Sequence, residues 1–370
     1  MKILHSEASC GWGGQEIRIL EEARGLLARG HDVSLVCPAQ SRIFAEAGRF
    51  GVPVTALPIG RKRLPGLLAL RAHLLRHKPD VVNVHSSTDS WLTALACATL
   101  RRPPAIVRTR HISLPVAVNW RSRWLFTRAS EHIVTTGESL RQALLHDFQL
   151  APDRVSSIAT GIDTARFVPG DTSLARQALG LDPHVHYLGI IATLRSWKGH
   201  LFLLEAFAAL LARRRVMDWR LLIVGEGPMR AKIEAKIAEL RLQDRVIMVG
   251  QQNEPEQWFR TLDIFCLPSY ANEGVPQALM QAMLCGLPIV TTPVGAILEA
   301  VCDQQSALVV PPKDATALAK ALLALIENPI RAAQLGSQAR RYALTRFSLG
   351  QMLDAMTVVF QIAYARHKSR

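Results

Sequence analysis

The sequence lacks the features that mark several classes of protein. None of its apolar runs reaches the roughly 18 residues that a membrane-spanning helix requires. The longest, Trp91–Leu100 and Leu201–Ala212, are typical of buried helices. The amino end, Met1–Glu7, has no apolar signal core, and we expect no export signal. Aromatic residues make up only 6% of the chain, too few for the stacking surface of a single-strand nucleic-acid binder.

Cysteines and paired acidic residues are also scarce. The six cysteines are scattered through 370 residues and form no Cys-x-x-Cys pair, which argues against a metal site and against a disulfide framework. We expect them to be reduced core residues of a cytoplasmic protein. They are Cys10, Cys37, Cys97, Cys266, Cys285 and Cys302. No Asp-x-Asp pair is present, and the nearest pattern, Glu254-Pro255-Glu256, is typical of a helix start. We therefore expect no metal.

Acidic residues are outnumbered by basic ones. The chain has 44 Lys and Arg against 30 Asp and Glu, a net charge of +14. Such a surplus suits nucleic acid, an anionic membrane surface or a phosphate-bearing substrate. The surplus is larger in residues 1–168, with 22 basic and 13 acidic residues, than in residues 169–370, with 22 and 17. Basic clusters in the first part lie at Arg61–Arg63 and around Trp120 and Trp124.

Short Val- and Ile-rich runs alternate with helix-period segments along almost the whole chain. This alternation predicts parallel sheets in an α/β fold. It restarts after Pro169-Gly170, so we predict two doubly wound domains, residues 1–168 and 169–348. The last helix, Leu349–His367 within residues 349–370, is expected to pack back on the first domain. The predicted strands are Lys2–His5, Asp32–Cys37, Asp80–His85, Ala105–Thr109, His132–Thr136, Val155–Ala159, Tyr187–Ala192, Leu221–Gly225, Val246–Gly250, Ile264–Pro268, Ile289–Thr292 and Ala307–Val310.

Three strand ends carry glycines or cations that suit a phosphate. The glycine-rich segment Gly11–Gly14 precedes a predicted helix. Gly13 and Gly14 in this segment could cradle a phosphate, and a tight strand-to-helix turn is an equally good interpretation. Arg195 and Lys198 follow another strand and suit a diphosphate, with solvated loop charges as the alternative. Gly225 and Gly227 form only a weak Gly-x-Gly signal. Arg230 stands where a dinucleotide fingerprint would continue with glycine, which counts against NAD.

The richest stretch is 268–283. A strand is predicted to end at Pro268, and a polar loop then offers Glu273. Pro276 suits the first turn of a helix on which Gln277 and Gln281 lie one turn apart. A carboxylate at a strand end can accept from two vicinal sugar hydroxyls. The alternative is a glutamate that only stabilises the helix start.

With these residues the sequence resembles the family 4 (group 1) GT-B glycosyltransferases. The Glu-x7-Glu pattern of that family is matched by Glu273 and broken by Gln281, and its phosphate loop is matched by Lys198-Gly199. The arginine of the family falls at Thr193 here, so Arg195 has to serve from two positions later. The segment 160–169 and Arg29–Val33 also look like the family.

The resemblance implies two Rossmann-like domains facing across a cleft, with the acceptor on the first and the nucleotide sugar on the second. It implies transfer with retention, and Gln281 would bind the ribose without charge assistance. The implied catalytic residues are His111, Arg195, Lys198 and Glu273. The implied donor-binding residues are Gly13, Gly14, Gly225, Gly227, Gly274, Val275, Gln277 and Gln281. The acceptor-binding candidates are Ser86, Asp89, Arg108 and Arg110.

The expected partners are a UDP, GDP or ADP sugar and a glycan or glycolipid acceptor, with a role in lipopolysaccharide or other bacterial surface polysaccharide synthesis. We expect no cofactor and no nucleic acid. Arg61–Arg63 and the stretch bearing Trp120 and Trp124 are expected to dock a cytoplasmic enzyme on the inner face of an anionic membrane. A GT-B epimerase or phosphorylase remains an alternative within enzymes. A basic, non-catalytic membrane- or nucleic-acid-binding protein is the alternative of another class.

Overall fold

A computed structural model of the chain describes residues 1–111, 116–212 and 218–369. The chain divides into two compact units, one formed by Met1–Gly161 with Leu349–Arg370 and the other by Ile162–Ser348. The division therefore lies between Gly161 and Ile162, before the predicted boundary after Val168. Ile162 belongs with the second unit because its backbone N–H donates to the carbonyl of Phe347 at 2.7 Å.

The first unit contains a seven-stranded sheet, and each pair of neighbouring strands is parallel. The strands follow the order β3-β2-β1-β4-β5-β6-β7. They are β1 (Lys2–Ser6), β2 (Asp32–Cys37), β3 (Val54–Ala56), β4 (Val81–Val84), β5 (Ala105–Arg110), β6 (His132–Thr135) and β7 (Val155–Ser157). Six of them match the predicted strands, and β3 is the one that the sequence does not predict. It spans three residues at the sheet edge, of which two are exposed, so it carries little apolar signal.

The second unit contains a six-stranded parallel sheet in the order β10-β9-β8-β11-β12-β13. Its strands are β8 (His186–Ile191), β9 (Trp219–Val224), β10 (Val246–Gly250), β11 (Ile264–Leu267), β12 (Ile289–Thr291) and β13 (Leu308–Val309). All six correspond to predicted strands. With the first sheet they give the doubly wound α/β architecture that the alternation predicts.

Helices connect the strands in both units. They are α1 (Gly14–Ala28), α2 (Arg42–Ala47), α3 (Leu64–His77), α4 (Ser87–Ala98), α5 (Trp120–Trp124), α6 (Glu138–Phe148), α7 (Thr172–Ala178), α8 (His200–Leu211), α9 (Arg230–Glu239), α10 (Pro255–Arg260), α11 (Gln277–Leu284), α12 (Ile297–Ala300), α13 (Ala315–Glu327), α14 (Pro329–Arg346) and α15 (Leu349–Lys368). Short 3₁₀ turns lie at Gly48–Phe50, Pro152–Arg154 and Ser196–Lys198, and a π turn lies at Leu125–Ala129.

The carboxy-terminal helix α15 completes the core of the first unit, as predicted. Met356 and Phe360 on α15 are fully buried in the same apolar cluster as Ile19 and Leu26 of α1. The helix spacing of these side chains places them on one face of each helix. The core of the first unit is therefore built from both ends of the chain.

Each sheet has a point where the strand order reverses. In the first sheet β1 lies between β2 and β4, and in the second β8 lies between β9 and β11. In doubly wound folds ligands bind beyond the carboxyl ends of the strands at such points. Most of the candidate residues lie in segments that follow these strands, and Arg108, Arg110 and His111 lie in or directly after β5, the neighbour of β4.

The cysteine prediction is wrong for two residues. Among the six free cysteines, Cys10 and Cys302 are exposed, while the other four are buried. Cys10 lies in the glycine-rich loop after β1 and Cys302 follows α12, so neither belongs to a core element. In the part of the chain that the structure describes, no helix combines the length and the hydropathy that a membrane span needs.

Candidate functional site

An ion pair joins two predicted residues of the second unit. Lys198 Nζ lies 2.6 Å from Glu273 Oε1, and the Ser269 hydroxyl donates to the same oxygen at 2.7 Å. Lys198 stands in the loop after β8 and Glu273 in the loop after β11. The side chain of Glu273 is only 6% exposed, so the carboxylate depends on these partners for its stability. The sequence predicts the two residues from separate motifs, and the fold brings them into contact.

Close backbone contacts hold these loops together, and they require glycine. Gly199 has φ +79°, and a Cβ there would lie 2.0 Å from the carbonyl oxygen of Pro268. Gly225 has φ +140°, and its Cβ would lie 2.0 Å from the carbonyl of Ala192. A Cβ on Gly227 would lie 2.7 Å from the carbonyl of Leu194. These glycines let the loop after β8 pack against its neighbours. A contact of Gly225 or Gly227 with the donor stays a prediction.

Arg195 takes no part in this ion pair. Its side chain is exposed, and the guanidinium carbon lies 5.8 Å from the centroid of the Trp197 ring. It forms no ion pair with a described residue. Arg230, which breaks the dinucleotide fingerprint, instead pairs with Glu226 at 2.7 Å and with Glu234 at 2.9 Å on the surface. Arg195 is thus the more accessible of the two predicted phosphate-binding cations.

The segment after Glu273 leads directly into helix α11. Gly274 is half-buried and Val275 is buried; α11 begins at Gln277, directly after Pro276. Gln277 and Gln281 lie one turn apart on α11, and both side chains are half-buried. This register matches the predicted one. It leaves their nucleotide contacts as predictions.

Three histidines form a chain in the first unit. His5 Nδ1 lies 3.0 Å from His85 Nε2, and His85 Nδ1 lies 3.0 Å from His111 Nε2. They come from β1 and from the segments directly after β4 and β5, which are neighbours in the sheet. Burial lowers the pKa of His5 to about 3 and holds the pKa values of His85 and His111 well below 6.5. The predicted site residue His111 is therefore a neutral imidazole.

Two carboxyls lie near the ends of the same strands. Glu7 is fully buried, and its carboxyl accepts from the backbone N–H of Ser9 at 2.6 Å and from the Gln15 amide. Burial and the charge of Asp89 raise the pKa of Glu7 to about 8. Burial also raises the pKa of Asp89 to about 6. Glu7 therefore carries a neutral carboxyl at pH 7.

Ser86 and Asp89, both acceptor candidates, cap helix α4. The Asp89 carboxylate accepts from the backbone N–H groups of His85 and Ser86, at 2.8 Å each, and from the Ser86 hydroxyl at 2.5 Å. Asp89 is fully buried. Ser86 and Asp89 thus form a capping box at the start of α4, and the Asp89 carboxylate also holds the backbone of His85 in place. An acceptor contact of Ser86 or Asp89 stays a prediction, and the structure gives Asp89 a different role.

Arg108 and Arg110 lie on the same face of β5, two residues apart. Arg108 is buried with its guanidinium carbon 4.3 Å from the centroid of the Phe126 ring. Burial and the charge of Arg110 lower the pKa of Arg108 to about 9. Arg110 is half-buried at the end of the strand. An anionic acceptor would reach Arg110 more readily than Arg108.

The amino-terminal glycine loop does not have the charge of a phosphate cradle. Helix α1 begins at Gly14, and Gly13 has an extended backbone, φ −179°, that any residue can adopt. The Glu16 carboxylate folds back over the loop, with Oε2 3.8 Å from the place of a Cβ on Gly13. The carboxylate puts a negative charge beside these glycines, which disfavours a second anion there. The phosphate contact of Gly13 and Gly14 stays a prediction.

The sequence analysis does not predict several residues that the structure brings into these clusters. They are His5, Glu7, His85 and Ser269. His5 and His85 share one signal that points to them, since each lies at the end of a predicted strand. Among the residues that the structure describes, no group of three or more His, Cys, Asp or Glu side chains lies close enough to hold a metal ion.

Comparison with known proteins decides the family. The family profile described as "Glycosyl transferases group 1" matches residues 171–342, and the profile described as "Glycosyltransferase Family 4" matches residues 12–166. The lipopolysaccharide core biosynthesis mannosyltransferase LpsB of Rhizobium meliloti is 31% identical over 248 residues, which cover 65% of this chain and 68% of that protein. The chain belongs to the group 1 glycosyltransferases. It is therefore a nucleotide-sugar-dependent transferase, as the motifs of the second unit predict.

Other relatives agree over most of the length of this glycosyltransferase. A D-inositol 3-phosphate glycosyltransferase of Rhodococcus opacus is 28% identical, with 95% of this chain and 86% of that protein covered. The structure of HepE from Anabaena in complex with UDP superposes with a TM-score of 0.82 at 21% identity, covering 98% of this chain and 100% of that chain. This likeness confirms the predicted GT-B fold class.

Proposed function

We propose that this glycosyltransferase binds a UDP sugar in its second unit and transfers the sugar with retention to a hydroxyl of a lipopolysaccharide core or a related surface glycan. The Lys198–Glu273 ion pair carries the proposal. In this pair a cation that suits a diphosphate lies beside a carboxylate that suits sugar hydroxyls, in the loops that follow β8 and β11. The UDP complex of HepE supports the nucleotide, and LpsB supports the acceptor.

Each residue has a task that suits its chemistry. Lys198 and the exposed Arg195 stabilise the charge that grows on the leaving diphosphate. Glu273 accepts from hydroxyls of the donor sugar, and Gln281 binds the ribose through a neutral amide. The leaving phosphate oxygen takes the proton of the acceptor hydroxyl on the same face of the sugar. His111 binds a sugar hydroxyl of a substrate. This scheme requires no metal.

Nucleotide binding and turnover test the donor site. UDP, GDP and ADP are titrated by calorimetry, and a panel of UDP sugars is then assayed for transfer with a lipopolysaccharide core fragment. Lys198→Ala is expected to lower kcat/KM about 10²–10³-fold, since it removes a group that stabilises transition-state charge. Lys232→Ala, which changes an exposed lysine of α9, is the matched control. Wild-type turnover by Lys198→Ala would remove the proposed role.

The product and the metal requirement test the rest of the scheme. The one-bond carbon–proton coupling at the anomeric centre of the purified product, compared with that of the donor, distinguishes retention from inversion for gluco- and manno-configured sugars alike. Conversion of the donor into an epimeric sugar without any acceptor would indicate the epimerase alternative. Phosphate-dependent release of a sugar 1-phosphate from a glycan would indicate the phosphorylase alternative. Turnover in excess EDTA is expected to equal turnover in magnesium buffer, and its loss would overturn the metal-free scheme.

We also propose that a basic face of the first unit contacts an anionic membrane. Arg61–Arg63 are exposed and precede Leu64 and Leu68, which are 65% and 55% exposed on α3. Trp120 is 75% exposed, and the guanidinium carbon of Arg121 lies 5.1 Å from the centroid of its ring. Trp124 is half-buried and stacks on Trp91 with ring centroids 5.8 Å apart. Exposed leucines beside cations suit the interface of a lipid bilayer.

Vesicle binding tests this face. Changing Arg61–Arg63 to serine is expected to weaken co-sedimentation with phosphatidylglycerol vesicles about fivefold for each cation removed. The control removes the same charge from the second unit through Lys232→Ser, Lys320→Ser and Arg341→Ser. Equal loss in both variants would reduce the effect to net charge, and no loss in either would exclude the proposed contact.

A further inference from the structure

The three histidines of the first unit form a line that is fully buried at one end, at His5, and partly exposed at the other, at His111. His5 is fully buried and His85 is 5% exposed, while His111 is half-buried at the end of β5. The rings of His5 and His85 stack with centroids 5.3 Å apart, and those of His85 and His111 lie 5.2 Å apart. His111 is the member of the line nearest to solvent. The line therefore runs from the core of the unit to a predicted site residue.

The backbone fixes this line in place. The backbone N–H of His85 donates to Asp89 Oδ2 at 2.8 Å, and the same carboxylate caps α4 through Ser86. His5 lies within β1, which pairs with β4 along four residues. The ring of His85 is thus held between its two neighbours. Its two nitrogens are both engaged, Nε2 with His5 and Nδ1 with His111.

Neutral rings restrict how protons can be arranged. Burial, together with the nearby cations Arg18 and Arg110, disfavours the charged form of His111, and burial disfavours that of His5. A neutral imidazole has one N–H donor and one acceptor nitrogen. Each of the two contacts needs one donor and one acceptor. The hydrogen bonds must therefore all point the same way along the line.

The buried end of the line, at His5, decides in which direction the hydrogen bonds point. His5 Nε2 is buried and has no hydrogen-bond partner among the described residues. If the bonds pointed inward, this nitrogen would carry a buried N–H with no acceptor, and such orphaned donors are rare. If they point outward, it carries only an unused lone pair. His5 then donates to His85, and His85 donates to His111.

We propose that His5 and His85 are positioning residues that hold His111 as its Nδ1–H tautomer. The nitrogen that His111 offers to a ligand is then a hydrogen-bond donor and not a base. Such a donor suits a sugar hydroxyl or a phosphate oxygen of a substrate. The link to turnover rests on the proposed function of His111, whereas the tautomer itself does not.

Nitrogen NMR tests the tautomer without reference to activity. The full-length enzyme is labelled with ¹⁵N on its histidine rings, and the signals of His111 are assigned by their loss in His111→Gln. The expected pattern is a protonated Nδ1 and an unprotonated Nε2. A protonated Nε2 on His111 would overturn the proposal, while the proposed function would stand.

Variants of His85 connect the tautomer to turnover. In His85→Asn the side-chain amide replaces Nδ1 and can still donate to His111, whereas in His85→Gln it replaces Nε2 on the side of His5. We expect His85→Asn to keep the Nδ1–H pattern and to stay within about threefold of wild-type kcat. His85→Gln should lose the pattern and about 10–100-fold in kcat, as for other orienting partners. Equal kcat in the two variants would overturn the positioning role.

Two further variants separate the possible failures. His73→Asn changes another buried histidine, which stacks on His77 in α3, and is expected to leave the tautomer and kcat unchanged. A loss of kcat in His73→Asn equal to that in His85→Gln would reduce the effect to stability and overturn the positioning role. If the Nδ1–H pattern is observed but His111→Gln retains wild-type turnover, the proposed function of His111 fails and the tautomer assignment holds.

Discussion

Glu7 makes the stability of the first unit depend on pH. Its carboxyl is fully buried after β1, and burial together with the charge of Asp89 raises its pKa from 4.5 to about 8. Between these values the folded state binds a proton that the unfolded state has lost. The stability contributed by the neutral carboxyl is therefore complete below pH 4.5 and is lost as the pH rises to about 8.

The size of the effect follows from the shift in pKa. Each pH unit within this window costs about 1.4 kcal/mol of unfolding free energy, so the full loss is about 5 kcal/mol. Glu7→Gln removes the titration. Its amide can keep both hydrogen bonds, from Ser9 N–H and with Gln15, if the Gln15 amide turns so that its oxygen accepts. From pH 5 to pH 8 the variant should gain about 3–4 kcal/mol relative to wild type.

Urea unfolding at several pH values measures this gain. Amide hydrogen exchange of β1 and β4 reports the opening of the first unit itself, which matters because a two-unit protein need not unfold in one step. Glu138→Gln changes a carboxylate of the same unit whose side chain is 49% exposed, and it serves as the control. Parallel stability curves for Glu7→Gln and wild type between pH 5 and pH 8 would refute the reasoning.

Three further outcomes are expected. Gly225→Ala should lower the unfolding free energy by about 3 kcal/mol or more because its Cβ would lie 2.0 Å from a carbonyl oxygen. Gly180→Ala, with φ +68° but no atom within 4 Å, should cost only about 1–2 kcal/mol in the same urea titration, and equal losses would contradict the steric argument. Phe360→Ala should destabilise the first unit by about 3–5 kcal/mol, measured by hydrogen exchange of β1; a loss confined to the second unit would contradict the packing of α15. Gln281→Glu should tighten UDP about tenfold by calorimetry through a charge-assisted bond, and the gain should vanish with 2′-deoxyuridine diphosphate if the ribose is the contact.

Local patterns predict most of the fold. Within the described residues, the alternation of apolar runs and helix-period segments locates twelve of the thirteen strands, because most of these runs are buried on both faces of a parallel sheet. Edge strand β3 is missed because most of its three residues are exposed. The unit boundary is misplaced because Ile162 is held by Phe347, a contact that no local pattern reports.

The site is predicted residue by residue but not as an arrangement. Lys198 and Glu273 are each found from the residue type at a strand end, yet their ion pair depends on β8 and β11 being neighbours. The sequence analysis does not identify His5 and Glu7, because burial in the folded unit shifts their pKa values and the sequence does not show that burial. β1 is covered by its sheet neighbours β2 and β4, and β4 lies about 80 residues later in the chain.

The shared core of α1 and α15 has a consequence for biosynthesis. The second unit is one uninterrupted segment, Ile162–Ser348, whose two ends pair through Ile162 and Ser348. It can therefore finish folding on the ribosome as soon as it has left the exit tunnel. The first unit begins earlier but cannot close its core until Met356 and Phe360 have been synthesised. The apolar core of the first unit therefore stays incomplete until α15 has been synthesised. During translation the uncovered apolar side chains of this unit form a surface to which chaperones can bind.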